Sequence, residues 1–272
     1  MTAGSTYIHG INDNEQIRLS MLNDLLNRKC LEKISVKPGS AILDVGSGLG
    51  LMTKQFSILT GPTGRCLGIE RSPEQLAKSK QFETEQLHFR QGDALNLPLQ
   101  SEEVGTFDLV YARFILEHLP DPAKAIREMK RALRPGGKII LADDDHQAMI
   151  LYPEPEGFQR LWTAYIDAFI EVGNDPFIGR KLPRLLHDAG FADVQNDMVF
   201  FGDTSGSDTF IPYIKNLSQV IATAKSVMLE SKALSIDQFD EALAQLLKWA
   251  ELKYATAYYP LCIAVGIKSH EQ

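Results

Sequence analysis

Between residues 40 and 145 short apolar runs alternate with amphipathic segments, and this alternation limits the chain to one class of fold. "AILDVG", from Ala41 to Gly46, is apolar on both faces, as a strand inside a parallel sheet must be. Residues 50 to 59 carry a helical pattern, "GPTG" marks a turn, and "RCLGIE" reads as a second strand. "SPEQLAKSKQFE" opens a helix with Ser72 at the cap, Pro73 at the first helical position and Glu74 in the first turn. "LHFRQGD" and "FDLVYA" predict strands three and four. "DPAKAIREMKRAL" predicts a helix stopped by "RPGG", and "KIILADDD" a fifth strand. Such alternation builds an α/β fold, a parallel sheet with helices on both faces. Right-handed crossovers collect the strand C-termini at one edge, where ligands of such sheets bind.

The flanking regions differ. Residues 15 to 34 place Ile17, Met21, Leu22, Leu25 and Leu26 at helical spacing. Residues 156 to 172 predict a helix with an aromatic stripe, Phe158, Trp162, Tyr165 and Phe169. "GRKLPRLLHDAGF" predicts another helix, and "ADVQNDMVFF" and "LCIAVGIK" two more strands. Residues 205 to 257 between those strands read as helical, with no strand pattern. The expected organisation is an N-terminal helical segment over 1–37, a ligand-binding core over 38–148, and the rest of the core over 149–272. Helical cap insertions are expected at about 153–175 and 205–257.

Composition excludes some functions. The chain has 272 residues, with 28 Lys and Arg against 35 Asp and Glu, a net charge of −7. That balance argues against a nucleic-acid or membrane-surface partner, which needs clustered positive charge. Cys30, Cys66 and Cys262 are too far apart in sequence to suggest a disulfide framework or a zinc site, and fit a reducing cytoplasm. The N-terminus shows no basic start followed by an apolar run, and no apolar segment is long enough to span a bilayer. A cytoplasmic protein is expected.

"ILDVGSGLG", residues 42 to 50, poses the functional question. Gly46, Gly48 and Gly50 are spaced G-x-G-x-G, whereas a dinucleotide fingerprint requires G-x-G-x-x-G and position 51 is Leu. A tight strand-to-helix turn also needs glycine for steric reasons alone. The flanking acids weigh more. Asp44, two residues before Gly46, would repel a pyrophosphate but suits a ligand with a cationic amine and a sulfonium. Glu70, twenty residues after Gly50, can accept two hydrogen bonds from ribose hydroxyls, a feature shared with NAD enzymes. Asp93 in "QGDALNLP" can accept from an adenine amino group, with Ala94 and Leu95 covering the ring.

"ILDVGSGLG", "GIERS", "QGDALNLP", "FDLVYARFILEHLPDP" and "RALRPGGKIILAD" together resemble, in order and spacing, the motifs of class I S-adenosylmethionine-dependent methyltransferases. The resemblance covers residues 40 to 145 and is nearest the small-molecule branch with the menaquinone and ubiquinone methyltransferases. "YIHGINDNEQIRL" also looks like a segment preceding the core in related bacterial enzymes. The resemblance implies a Rossmann-like, seven-stranded, mostly parallel sheet with a helical cap, its last strand antiparallel, and S-adenosyl-L-methionine as cofactor. It implies that Gly46, Ser47 and Gly48 let the backbone approach the methionine part, and that Asp44 orients that turn or meets the amine through water. Glu70 would hold the ribose, Arg71 would pack on the adenine, and Asp93 and Ala94 would read its edge. Arg113 would offer its backbone carbonyl to the ammonium, and Phe114 would lie near the sulfonium.

The acceptor side is less defined. A general base is needed only for a protonated nucleophile. Candidates are His118 in "LEHLPDP", against a structural role capping the next segment, and His9, beside Tyr7 in the N-terminal lid. Gln16 and Arg18 of the same lid suit contact with the cofactor carboxylate. "DDDH", residues 143 to 146, invites a metal reading, but adjacent side chains point in alternate directions. No metal is expected; one acid, with Asp143 as a candidate, should face the substrate and the others should be solvated. The aromatic stripe, Phe210, Tyr213, Ile214, Leu217 and the phenols of "YATAYYP" suit a largely apolar acceptor pocket under the cap. The function expected is methyl transfer to an O, N or C atom of a small, partly apolar organic acceptor, with a homodimer left open. The alternatives are a methyltransferase of nucleic acid or protein, an NAD-dependent oxidoreductase, and a non-catalytic S-adenosylmethionine-binding protein.

Overall fold

The computed structural model describes residues 13–231 and 234–270, with side chains from Met21 onward. The expected alternation is realised. Strand β1 (Ala41–Val45) leads to α2 (Leu51–Thr60), β2 (Arg65–Glu70) to α3 (Pro73–Ser79), and β3 (Leu87–Gln91) to β4 (Phe107–Arg113). Helix α4 (Pro122–Ala132) then precedes β5 (Leu133–Asp144). The N-terminal helix α1 spans Asp13–Leu31. Later in the chain α6 (Leu182–Asp188) precedes β7 (Ala192–Phe200), and β10 (Pro260–Ile267) ends the sheet.

The seven strands lie in the order β3-β2-β1-β4-β5-β10-β7. β10 runs antiparallel to both β5 and β7, and the pairs from β3 through β5 are parallel. Both faces are buried, which explains the unbroken apolar runs. Leu109 and Tyr111 of β4 enter one core cluster with Phe56 of α2, while Val110 and Ala112 enter another with Ile126 and Met129 of α4. β5 starts at Leu133, earlier than "KIIL" suggests, because the "RPGG" segment continues in extended form and Leu133 pairs with Phe107 across a register shift.

The cap departs from expectation in one respect. Helices α5 (Phe158–Glu171), α7 (Phe210–Thr223), α8 (Lys225–Glu230) and α9 (Ile236–Trp249) occupy the expected helical regions. A small antiparallel sheet accompanies them, ordered β6-β9-β8 from Ile150–Tyr152, Thr256–Tyr258 and Asp203–Thr204. These strands of two or three residues are too short to show a period of two in the sequence. No described helix is long and apolar enough to cross a membrane.

Gly50 shows why the turn after β1 is rich in glycine. Its φ is +75°, and a Cβ there would lie 2.6 Å from the Phe89 ring and 2.8 Å from Ser79 Cβ. Gly50→Ala should therefore lower stability by about 2–4 kcal/mol in urea unfolding, combining left-handed strain with overpacking. A loss below about 0.5 kcal/mol would show that the turn relaxes freely.

Candidate active site

The C-terminal tips of β1, β2, β3 and β4 surround a cavity of about 480 Å³. Asp44, Gly46, Ser47, Gly48 and Glu70 line one part of it. Arg71, Asp93, Ala94, Arg113 and Phe114 line the rest, with His118 at the rim toward the cap. Tyr7 and His9 lie outside the described residues, as do the side chains of Gln16 and Arg18 on α1.

Local bonding explains how the cavity is built. Gly46 has φ +73°, and a Cβ there would fall 1.6 Å from Ile115 Cδ1. The Gly46 and Ser47 N–H groups donate to the Ile69 carbonyl at 2.7 and 3.1 Å, which ties the turn to the end of β2. Glu70 extends that tie. Its Oε2 accepts the Gly48 N–H at 2.9 Å and its Oε1 accepts the Ser72 N–H at 2.7 Å. Asp93 Oδ1 accepts the Leu95 N–H at 2.8 Å and so shapes the loop after β3.

Asp44 is 3% exposed and accepts the Thr53 hydroxyl at 2.6 Å, joining the strand tip to α2. Burial pushes its carboxyl up to about 6, against the pull of Thr53 and Arg113. The sequence marked only the backbone of Arg113, but its side chain also has a place. The guanidinium donates to Asn23 at 2.9 Å and Asn27 at 2.8 Å, so α1 is pinned to the end of β4. Phe114, the next residue, holds φ +56°, which is uncommon for a bulky side chain. Its N–H donates to the Ala142 carbonyl at 3.0 Å.

A second, narrower cavity of about 90 Å³ lies beneath the cap. Leu22, Phe114 and His118 line both cavities. Trp162, Tyr165 and Phe169 of the aromatic stripe form part of its wall with Tyr213, Leu217 and Tyr259, while Phe158 stays in the core. Of the other phenols, Tyr254 and Tyr258 are exposed.

His118 does not cap the following helix; Asp121 does, accepting the Lys124 N–H at 2.8 Å. Instead His118 is half-buried with Nε2 3.4 Å from Glu117 Oε1, and desolvation lowers it to about 4. The acidic run also differs from expectation. Asp144 lines the cap cavity, but the other two acids are not solvated. Asp143, 1% exposed, lines neither cavity. It accepts the Leu116 N–H at 2.9 Å and so braces the turn after β4, and burial raises it to about 7. Asp145 is paired with Arg180 at 2.5 and 2.6 Å. The run is split because successive side chains leave β5 in different directions.

Residues 43–141 match the family described as a methyltransferase domain. An uncharacterised protein in transposon Tn4556 of Streptomyces fradiae is 31% identical over 209 residues, covering 74% of this chain and 58% of that protein. A demethylmenaquinone methyltransferase of Bacillus cytotoxicus is 29% identical over 197 residues, covering 64% of this chain and 79% of that enzyme. A solved Bacillus halodurans structure described as a methyltransferase superposes with a TM-score of 0.57 at 16% identity, covering 90% of this chain and 99% of that one. Residues 43–141 thus form a methyltransferase domain of the class I S-adenosylmethionine-dependent kind. The chain spans little more than half the length of the transposon protein.

S-adenosylmethionine is the cofactor of this family, and the cavity at the strand tips fits it. Four carboxylates, those of Asp44, Glu70, Glu74 and Asp93, line the cavity, left-handed glycines bring backbone to its wall, and Ser47 Oγ is buried without a hydrogen-bond partner among the described residues. Sequence reasoning passed over Glu117 and His146 in the cap cavity. In the sequence Glu117 adjoins the more conspicuous His118, and His146 ends the acidic run, so neither carries a signal of its own.

Asp44→Asn separates charge from shape, since the amide oxygen can still accept from Thr53. The folded carboxyl titrates at about 6, above its ordinary 3.8. Between these values the folded state keeps a proton that the unfolded chain has lost, so Asp44 contributes less stability as pH rises. The stability of the wild type relative to Asp44→Asn should fall by ~2 kcal/mol from pH 4 to pH 7 in urea unfolding without ligand. A difference that stays flat would show that Asp44 titrates like an exposed acid.

Proposed function

We propose that this chain transfers the methyl group of S-adenosylmethionine to an O, N or C atom of a small, partly apolar organic acceptor held beneath the cap. The shared wall of the two cavities carries this reading: Phe114 and His118 border both, so a donor in the first faces an acceptor in the second. The cofactor supplies an electrophilic methyl carbon on a sulfonium sulfur. The chain supplies position, and holding two reactants in line removes much of the barrier to such a displacement.

In this reading Glu70 accepts from the ribose hydroxyls, using lone pairs beyond those engaged by Gly48 and Ser72. Asp93 and Ala94 meet the adenine edge, and Arg71 packs on the ring. The backbone from Gly46 to Gly48 approaches the methionine part, and Asp44 places negative charge near its ammonium. Phe114 excludes water where the cavities meet. Relatives such as the Bacillus cytotoxicus enzyme are named for demethylmenaquinone, a planar and largely apolar acceptor. The aromatic wall of Trp162, Tyr165 and Phe169 suits a ring of that kind. The narrowness of the same cavity speaks against a polymer as acceptor.

Calorimetric titration checks the cofactor assignment. S-adenosylmethionine and S-adenosylhomocysteine should bind and NAD should not. Glu70→Ala should weaken binding by about 1–3 kcal/mol, since it leaves ribose hydroxyls and the Gly48 and Ser72 N–H groups without their acceptor. Unchanged affinity in that variant would remove Glu70 from the ribose site.

A further inference from the structure

His146 lines the cap cavity beside the aromatic rings of Trp162, Tyr165 and Phe169. Its ring centroid lies 4.9 Å from that of Phe169, 5.4 Å from Trp162 and 5.5 Å from Tyr165. The residue is 4% exposed. Its backbone is held on both sides: the N–H donates to the Pro176 carbonyl at 2.9 Å, and the carbonyl accepts the Trp162 indole N–H at 2.7 Å. The ring is held as well, because Nδ1 lies 2.7 Å from the Tyr259 hydroxyl.

The other ring nitrogen is treated differently. Nε2 is buried, and no described residue makes a hydrogen bond to it. Glu117 Oε2 lies 3.8 Å away, which is too long for one. Buried polar atoms are almost always paired, so an open one calls for a specific account. An imidazole anchored through Nδ1, with its other nitrogen unpaired in a residue that lines the cavity, has the form of a ligand contact. The cavity it lines is the one that meets the cofactor cavity at Phe114 and His118.

We infer that His146 Nε2 is the hydrogen-bonding contact that orients the methyl acceptor, and that the acceptor carries an O–H or N–H group to meet it. This rests on the reading of the chain as a small-molecule methyltransferase. The ring acts in its neutral form: burial, and then the neighbouring His118, lower it to about 3. The tautomer with Nδ1–H donating to Tyr259 leaves the Nε2 lone pair to accept from the acceptor. Tyr259 is then a positioning residue, holding the ring through Nδ1. Trp162, Tyr165 and Phe169 supply the surface on which the rest of the acceptor lies.

The test uses phenol and toluene, which share a ring and differ in one O–H. Full-length protein saturated with S-adenosylhomocysteine is titrated with each. Phenol should bind about tenfold more tightly than toluene, the worth of one hydrogen bond to a buried, otherwise unpaired group. In His146→Phe the preference should disappear while affinity for S-adenosylhomocysteine is unchanged. A second readout needs no variant: phenol should shift the 15N resonance of His146 Nε2 in the wild type, and toluene should not. Equal affinity for the two probes, binding of neither, a preference that survives His146→Phe, or an unmoved Nε2 resonance would overturn the assignment. Failure of the wild type to bind S-adenosylhomocysteine would instead remove the methyltransferase reading on which it rests.

Discussion

One carboxylate joins two strand tips, and the cofactor cavity depends on it. Glu70 takes a backbone N–H from the glycine turn after β1 and another from the start of α3. The turn cannot be closed by ordinary residues, because a Cβ at Gly46 would run into Ile115 and one at Gly50 into Phe89. Buried backbone donors need acceptors, and here an acidic side chain provides them while keeping lone pairs toward the cavity. The same group thus sets the shape of the loop and presents charge to a ligand.

The acceptor side is organised by the next strand over. Arg113 donates to Asn23 and Asn27, which places α1 beside the end of β4. Phe114 then takes a left-handed backbone conformation, and its side chain borders both cavities. A strained backbone persists only where its surroundings over-determine it. Asp143, bonded to the Leu116 N–H, supplies part of that constraint from β5. The cap completes the enclosure with aromatic rings packed at 4.9 to 5.5 Å between Trp162, Tyr165 and Phe169.

Much of the sheet could be read from the sequence because burial on both faces leaves a plain signal. "AILDVG" and "FDLVYA" are apolar without alternation, and both form central strands. Ser72 and Pro73 announced the start of α3, where the Ser72 hydroxyl accepts the Gln75 N–H. The glycines and acids at the strand tips could be gathered because each lies at or just past the end of a recognisable strand. What escaped has a physical reason in each case. β8 and β9, of two and three residues, are too short to show an alternation of period two. The hold of Arg113 on α1 joins residues 90 and 86 positions apart, which no local pattern reveals. The separate fates of Asp143, Asp144 and Asp145 depend on strand geometry rather than on their common chemistry. His146 matters through partners such as Tyr259, 113 positions away.

The central claim is that the strand-tip carboxylates hold the nucleoside of S-adenosylmethionine so that its sulfur faces the cap cavity. A crystal structure with S-adenosylhomocysteine tests this most directly. It should show both ribose hydroxyls on Glu70, the adenine edge at Asp93, and the thioether sulfur against Phe114. A ribose bound away from Glu70, or a sulfur turned from the wall shared by the two cavities, would contradict the account.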